Sequence, residues 1–280
     1  MTAAFPFADL ALARRLERAE ALSSARFADS RGRLTEAGSC WIEVAGAYAM
    51  FDGPASPATQ TFGLGMFAQP TPADLDRIEA FFTERGAPVH HEVSPLADET
   101  VVPLLTARGY TPFEFTSVMY QPIDPGGLKP CATPPPDGAQ GLSPAITTRA
   151  LGPDEAEVYA RTSAAGWSES GLGDVILEIA RASAVSEGVT LFLAEAGGAP
   201  VGTAALSIVE GVAHLAGAST VPEARKRGAQ LALLAARLRF AAGRGCDIAL
   251  MGALPGSSSQ RNAERNGFRI AYTRIKWRKS

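Results

Sequence analysis

Apolar residues in the second half of the chain follow the period of strands first and that of a helix afterwards. Segments rich in apolar and β-branched residues, separated by glycine turns, predict strands at 190–196, 201–209 and 212–221. The next apolar residues recur every three or four positions and predict a helix that ends near residues 243–245: Leu231, Leu234, Leu238 and Ala241. A buried strand at 247–254, a polar helix at 257–266 with Gly267 as its C-cap, and a strand at 269–277 follow.

The first half shows the same succession of patterns. Leu75, Ile78 and Phe82 mark one face of a helix that ends at Gly86. Strands are predicted before it at 40–51 and 61–66, and a strand at 89–93, a helix at 98–108 and a strand at 113–120 are predicted after it.

Equivalent positions in the two halves are separated by a nearly constant distance. Gly86 and Gly245 are 159 positions apart, and Pro95 and Pro255 are 160 apart. The triplets RGY at 108–110 and NGF at 266–268 are 158 apart. Such an offset indicates an internal duplication. We therefore expect an α/β protein of mixed α+β type with two similar domains, each a central, mostly antiparallel sheet flanked by helices.

A segment rich in proline and glycine separates the halves. Residues 121–144 (QPIDPGGLKPCATPPPDGAQGLSP) cannot sustain a helix interior or a central strand. The sequence thus predicts a first domain at 1–123, a linker at 124–144 and a second domain at 145–280. A length of 280 residues agrees with two domains, each able to bury its own core.

Composition excludes several classes of protein. Apolar residues make up 46% of the chain and charged residues 20%, as in ordinary globular proteins. A net charge of -3 gives no basic surface for nucleic acid, and no apolar run is long enough to span a membrane. Cys40, Cys131 and Cys246 are odd in number and form no metal or redox motif. We expect a cytoplasmic protein that binds no metal, nucleic acid or membrane; its oligomeric state is open.

The most informative segment lies between a predicted strand and the predicted apolar helix. Residues 220–230 read TVPEARKRGAQ. The first turn of a helix has unpaired N–H groups and a partial positive charge, so a glycine there allows a diphosphate to approach the backbone. Gly228 provides this access, and Arg225, Lys226 and Arg227 add positive charge. Taken alone, the segment favours a simpler interpretation, in which the basic run is a solvated surface and Gly228 only begins the helix.

This segment resembles the acetyl-CoA signature of the GNAT family of N-acetyltransferases, V-x-P-x-x-[RQ]-x-x-G-x-[GA]. Arg225 and Gly228 keep the Arg-x-x-Gly spacing, whereas Val221 and Pro222 are adjacent and Gln230 replaces a glycine or alanine. Residues 262–268 (NAERNGF) resemble the second family signature, a helix that ends in Gly-Phe. The resemblance covers about residues 145–280 and implies two GNAT-like domains, the first without a phosphate loop.

The resemblance also implies which residues hold acetyl-CoA. The loop residues would bind its diphosphate, the end of the preceding strand would contact its pantetheine arm, and Asn262 would reach it from the opposite wall or merely cap its helix. The implied binding residues are Ser219, Thr220, Val221, Arg225, Lys226, Arg227, Gly228, Ala229, Gln230 and Asn262.

Two catalytic residues common in the family are replaced. Ala263 occupies the position of the tyrosine that protonates the leaving thiolate, and Tyr272 or one of the serines at 257–259 are substitutes. The strand before the loop has no carboxylate base, but His214 has a reference pKa of ~6.5 that suits deprotonation of an amine. Glu169 and Glu178 are alternatives, and both His214 and Tyr272 could instead be packing residues. Water could also take the proton.

The first domain departs further from the family. Residues 67–74 (FAQPTPAD) occupy the place of the loop and contain neither Arg-x-x-Gly nor any basic residue. His90 and His91 are adjacent on a predicted strand, so they point to opposite faces and cannot form a simple metal pair. We expect a degenerate copy that does not bind coenzyme.

These observations predict an acetyl-CoA-dependent N-acetyltransferase that acts on an amine, with a small molecule favoured over a protein as the acceptor. A coenzyme A-binding pseudoenzyme or sensor without turnover is the main alternative, since two catalytic residues are replaced. A purely structural duplicated domain is a third, and it predicts no stabilisation by acetyl-CoA.

Overall fold

A computed structural model describes residues 4–34, 38–124 and 145–279. The predicted linker lies outside these residues from position 125 onward. The chain forms two compact units: a middle unit built from residues 122–249, and a terminal unit built from residues 5–121 and 250–279. The chain passes from one unit to the other within strand β10 (Ile248–Ala253).

The terminal unit contains a sheet whose strand order is β1-β2-β3-β4-β11-β5. Its strands are β1 (Cys40–Val44), β2 (Ala47–Phe51), β3 (Gln60–Phe62), β4 (His90–Val93), β5 (Tyr110–Pro122) and β11 (Arg269–Lys279), and its helices are α1 (Leu10–Leu34), α2 (Pro72–Thr83), α3 (Val101–Ala107) and α7 (Ser258–Arg265). Only β3 and β4, among the pairs described within this sheet, run parallel.

Helices cover both faces of this sheet. Tyr48 and Met50 on β2 pack against Ala21 and Ala25 of α1. Their neighbour Phe51 points the other way, into the core formed with α2 and α3. Sequence analysis missed α1, although its buried residues Leu12, Leu16 and Ala19 recur at helical spacing.

The middle unit contains an antiparallel sheet in the order β9-β8-β7-β6. Its elements are β6 (Ile146–Ala150), α4 (Ala156–Ala165), α5 (Gly173–Ala184), β7 (Val189–Ala196), β8 (Ala199–Val209), β9 (Val212–Thr220) and α6 (Ala229–Gly243), with short 3₁₀ turns at Pro153–Glu155, Ser168–Ser170 and Pro222–Ala224. Sequence analysis missed β6, α4 and α5.

The helices of the middle unit also lie on opposite faces. Tyr159 and Ala160 of α4 pack with Leu191 and Ala205. The ring of Phe192, the next residue on β7, contacts Phe240 of α6, with ring centroids 5.6 Å apart. Since adjacent strand residues point to opposite faces, α4 and α6 enclose the sheet between them.

The predicted mixed α/β fold is confirmed. The order α2-β4-α3-β5 of the first half recurs as α6-β10-α7-β11 in the second. Gly86 and Gly245 both adopt left-handed φ, at 65° and 77°, and so do Gly109 and Gly267, at 79° and 92°. These are backbone conformations that glycine adopts without steric cost. The sites of the repeated glycines therefore match in structure as well as in sequence.

The compact units do not follow the predicted domain limits at the C-terminal end. β11 pairs with β4 and β5, both from the first half, which places residues 250–279 in the terminal unit. Equivalent strands of a duplicated protein offer similar hydrogen-bonding edges, so their exchange between copies costs little. The tandem-domain limits themselves remain a prediction.

Candidate coenzyme site in the middle unit

The loop between β9 and α6 turns sharply just before the helix. After the 3₁₀ turn, Arg225 is extended, Lys226 has a φ of 62° and Gly228, the N-cap of α6, has a φ of 87°. A left-handed lysine costs about 1–2 kcal/mol and marks a strained position. Left-handed residues next to right-handed ones make successive N–H groups converge into a concave site for an anion.

The first turn of α6 is open. Gly228 provides no side-chain hydrogen bond to the helix, and the first turn contains no acidic residue. Apart from the adjoining backbone and chain neighbours, no heavy atom of the described residues lies within 4 Å of the position that a Cβ of Gly228 would occupy. The N–H groups at this end thus keep their partial positive charge without a capping group, and the exposed side chains of Lys226 and Arg227 precede them.

Arg225 is bound within the protein. Its guanidinium forms an ion pair with Glu169 and donates hydrogen bonds to the carbonyl oxygens of Gly166, at 3.0 Å, and Thr220, at 3.4 Å. Arg225 therefore ties the loop to the segment between α4 and α5. The other two cations of the loop, Lys226 and Arg227, take no part in these contacts with Glu169, Gly166 and Thr220.

Gln230 secures the end of β9. Its Nε2 atom donates to the carbonyl oxygen of Ser219 and to Oγ1 of Thr220, each at 2.7 Å. The N–H of Val221 donates to the carbonyl of Val201 at 3.0 Å. The carbonyl of Ser219 and the N–H of Val221 are thus already hydrogen-bonded within the protein. Their contacts with a pantetheine arm remain predictions.

A bulge interrupts the pairing of β9 with β8. Thr203 pairs with Ser219 and Ala205 with Ala216, so three steps along β9 match two along β8. The extra residue lies at Gly217–Ala218, and Gly217 has a φ of 58°. A Cβ on Gly217 would lie 2.9 Å from the hydroxyl of Tyr159. A larger residue at 217 is thus opposed by both backbone conformation and space.

The bulge is the feature of this site that sequence analysis overlooked. Ala216, Gly217 and Ala218 are small and exposed, in a strand whose other residues are buried or half-buried. A bulge leaves backbone groups outside the ladder. The signal was available, since an isolated glycine within a strand pattern indicates a bulge or a close backbone approach.

The predicted acid–base residues have different surroundings. His214 is half-buried on β9, opposite Ser207 and three residues before Gly217. Glu178 forms an ion pair with Arg181 at 2.9 Å, and Glu169 is bound to Arg225. Of these three, His214 shares its strand with the bulge.

Two predicted residues belong to the terminal unit. The hydroxyl of Tyr272 is buried and donates to Glu17 at 2.9 Å, and burial raises its pKa. Asn262 lies inside α7, where its carbonyl oxygen accepts a hydrogen bond from Asn266 at 2.7 Å. Ser257 is the N-cap of that helix, so Asn262 is not. Ala263, where the resemblance places the family's tyrosine, is buried.

The adjacent histidines of β4 point apart. His91 is fully buried and contacts Tyr110, whereas His90 is half-buried and contacts Phe113. Within the described ranges, no three His, Cys, Asp or Glu side chains are placed to hold a metal ion. No helix in the described part of the chain is both long and apolar enough to cross a bilayer.

Comparison with known proteins identifies the class. Residues 156–268 match the acetyltransferase (GNAT) family. A GCN5-related N-acetyltransferase from Kribbella flavida has the same fold, with 18% identity, a TM-score of 0.63, and coverage of 93% of this chain and 95% of that one. One from Sphaerobacter thermophilus has 20% identity, a TM-score of 0.51, and coverage of 79% and 71%.

A tandem protein shares the fold as well. The tandem GNAT protein from the clavulanic acid biosynthesis pathway has 14% identity, a TM-score of 0.58, and coverage of 83% of this chain and 77% of that one. No curated protein matches this chain in sequence. The predicted resemblance is confirmed: residues 156–268 match the acetyltransferase (GNAT) family, and the chain has the fold of these tandem and GCN5-related proteins.

Proposed function

We propose that this protein is an acetyl-CoA-dependent N-acetyltransferase whose coenzyme site is the start of α6 in the middle unit. The observation that carries the proposal is the open first turn of α6, which is uncapped, free of acidic residues and preceded by exposed cations. These features fit the diphosphate of coenzyme A. The GNAT match over residues 156–268 supports this assignment.

Each group at the loop would have a defined role in binding. The backbone N–H groups of Gly228, Ala229 and Gln230 would hold the diphosphate, and Lys226 and Arg227 would balance its charge. Arg225 would act through its bonds to Glu169, Gly166 and Thr220, which fix the shape of the loop.

The bulge lies on the strand that leads into this loop. Acetyl-CoA supplies an activated acetyl group: the acceptor nitrogen bonds to the acetyl carbon, the carbon–sulfur bond breaks, and coenzyme A leaves as a thiol after taking up a proton. A backbone N–H of the exposed bulge would donate to the acyl oxygen as its negative charge develops. His214 would accept the proton of the amine, directly or through water.

We further propose that the acceptor is a small-molecule amine and that the first half is a degenerate copy without a coenzyme site. The second proposal is supported by residues 67–74, which contain no basic residue. A coenzyme A-binding protein without turnover is the competing function. Ala263 at the tyrosine position and the burial of Tyr272 against Glu17 favour it.

Binding and turnover can be measured separately. Calorimetry with acetyl-CoA is expected to show binding, and an assay of free coenzyme A release over a panel of small amines is expected to reveal at least one acceptor. Binding without release on any amine would support the competing function. Absence of binding would contradict both.

A variant of His214 tests the assigned base. With the best acceptor, His214→Gln is expected to lower kcat by about 100-fold near pH 7 while acetyl-CoA affinity is retained. His90→Gln is the matched control, because His90 is also a half-buried strand histidine but lies in the terminal unit. Equal kcat values for both variants and the wild type would exclude His214 as the base.

A further inference from the structure

Arg237 of α6 is a buried cation directed at the bulge. Its side chain lies on the buried face of the helix and is only 5% exposed. Nη1 donates to the carbonyl oxygens of Ala205, at 3.2 Å, and Ala216, at 3.4 Å. Ala205 on β8 and Ala216 on β9 are paired with each other, and the bulge begins directly after this pair.

This charge has no anionic partner. In the part of the chain that the structure describes, no ion pair joins Arg237 to a carboxylate; burial lowers its pKa to about 10, and Tyr159 is the ionisable group that opposes this shift. The guanidinium therefore stays protonated near pH 7. Burial of a charge whose described acceptors are neutral carbonyl groups is unfavourable, and a leucine or methionine would fill the same helix position without that penalty. Packing alone does not explain an arginine here.

The geometry connects this charge to a particular N–H group. The peptide that joins Ala216 to Gly217 is trans, since no cis peptide occurs among the described residues, so its N–H points opposite to its carbonyl. The guanidinium of Arg237 donates to the carbonyl oxygen of Ala216. Because the N–H of Gly217 points in the opposite direction to this carbonyl, it is directed away from Arg237. A charged donor on the carbonyl polarises the peptide and makes that N–H a stronger donor.

Tyr159 completes the enclosure of this peptide. Its ring packs from the α4 face of the sheet, and its hydroxyl lies 2.9 Å from the position of a Cβ on Gly217. Arg237 approaches from α6, on the opposite face. Arg237 and Tyr159 thus flank this part of the bulge from opposite faces of the sheet.

We infer that Arg237 is a positioning residue that orients and polarises the Ala216–Gly217 peptide, so that the Gly217 N–H binds the acyl oxygen of acetyl-CoA. The inference rests on the proposed function, because it requires a bound thioester at the bulge. A simpler role, in which Arg237 only satisfies two carbonyl groups left by the bulge, predicts a change in stability and none in the bound acyl group.

The test observes the acyl group itself. Acetyl-CoA labelled with carbon-13 at the thioester carbonyl is bound to the full chain, and its carbonyl stretch is recorded by infrared difference spectroscopy. In the wild type, the stretch is expected at lower frequency than in solution, because a strong donor polarises the bond. In Arg237→Met, at least roughly half of this shift should be lost, while the Kd for acetyl-CoA changes by less than about threefold.

Two further variants provide a replacement in case Arg237→Met does not fold and a control for the substitution itself. Arg237→Gln retains a donor for the carbonyl groups without the charge, so it should fold if Arg237→Met does not, and it should lose the shift in the same way. Arg239→Met makes the same substitution on an exposed position of the same helix and should keep the full shift.

The outcomes separate this inference from the function on which it rests. A full wild-type shift in either folded Arg237 variant would overturn the role of Arg237. Bound acetyl-CoA with no shift in the wild type would overturn the contact with Gly217, and no binding at all would overturn the proposed function.

Discussion

The two copies of the strand–loop–helix element differ in how the helix begins. In the terminal unit, Oγ1 of Thr71 accepts the N–H of Asp74 at 3.2 Å, and the Asp74 carboxylate accepts the N–H of Thr71 at 2.9 Å. In the middle unit, α6 begins at Gly228 with neither a side-chain cap nor an acidic residue. The start of α2 is therefore capped by its own side chains and carries a negative charge. The start of α6 has no side-chain cap and is preceded by cations.

This difference shows what an anion site at a helix start requires. Hydrogen bonds from the side chain and backbone of Thr71 lower the pKa of Asp74, so this carboxylate is ionised and occupies the place that an external anion would take. At Gly228 the same backbone groups have no such partner. In both copies the helix is present, but one helix start is capped by its own side chains and the other has no side-chain cap.

The largest effect is expected when the open terminus is closed. In Gly228→Glu, a carboxylate enters the space that the diphosphate would use, and the left-handed φ adds strain. Acetyl-CoA affinity should fall by more than about 100-fold, as measured by calorimetry, whereas the melting temperature without ligand changes little.

The control for this variant lies at the other end of the same helix. Gly245 has a φ of 77° and open space around its Cβ position, so Gly245→Glu carries the same strain and charge. It should bind acetyl-CoA like the wild type. If both variants bind equally well, the helix start is not the diphosphate site.

The two units also differ in the partners of their buried arginines. In the terminal unit, Arg274 is fully buried and forms ion pairs with Glu20 and Glu92, at 2.5 and 3.2 Å, close to Glu17. Burial raises the pKa of Glu17 to about 7, partly offset by Arg274. The terminal unit thus pairs its buried arginine with carboxylates, whereas Arg237 in the middle unit has carbonyl groups.

The raised pKa of Glu17 gives a pH dependence of stability. Below about pH 4.5 the carboxyl is protonated in both states, and between about 4.5 and 7 it ionises only in the unfolded chain, which favours unfolding. The Glu17 contribution to stability therefore decreases as the pH rises through this range. Glu17→Gln removes the titration, so its free energy of unfolding relative to wild type should rise on the order of 2 kcal/mol from pH 4.5 to 7.

Urea denaturation across this pH range provides the measurement. Glu84→Gln, which makes the same substitution on an exposed position after α2, is the control. A Glu17→Gln difference that varies with pH no more than that of the control would show that the pair with Arg274 outweighs burial.

Sequence analysis predicted most elements of the repeat because each has a local signal. The apolar spacing at Leu234 and Leu238 and the glycines at 86 and 245 mark helices and their ends without reference to the rest of the chain. The pairing of β11 with β4 and β5 has no such local signal. Strands at equivalent positions of the two halves have similar hydrogen-bonding edges, so the sequence does not determine which sheet β11 joins. The structure shows that it pairs with β5.

The residues of the proposed site differ in how far the sequence reveals them. Gly228 and its basic neighbours can be selected from the sequence, because the features that favour binding of a phosphate at a helix start are local. Arg237 cannot, because it is one arginine on an otherwise apolar helix face, and its acceptors are carbonyl groups on two strands distant in sequence. Likewise, the sequence does not show that Thr71 and Asp74 cap α2, because this depends on the hydrogen bonds that the two residues form.

A smaller effect is expected when the closed terminus is opened. Thr71→Ala removes the cap of α2 and should destabilise the protein by about 1 kcal/mol in urea denaturation. Acetyl-CoA affinity should be unchanged, because Asp74 still places negative charge at that terminus. Thr83→Ala, at the exposed end of the same helix, is the control. A second coenzyme site appearing in Thr71→Ala would contradict the view that the first copy lacks the groups to bind it.

The smallest effect is expected from one cation of the open loop. Lys226→Asn removes a charge but keeps a residue that tolerates the left-handed conformation, so the shape of the loop is retained. Acetyl-CoA affinity should fall roughly threefold at low salt, and the difference from wild type should disappear at about 0.5 M salt, because exposed charges are screened. Lys226→Arg keeps the charge and should bind like the wild type. A loss in Lys226→Asn that persists at high salt would assign Lys226 a direct hydrogen bond to the ligand, whereas equal affinity at low salt would mean that the backbone N–H groups of α6 suffice to hold the diphosphate.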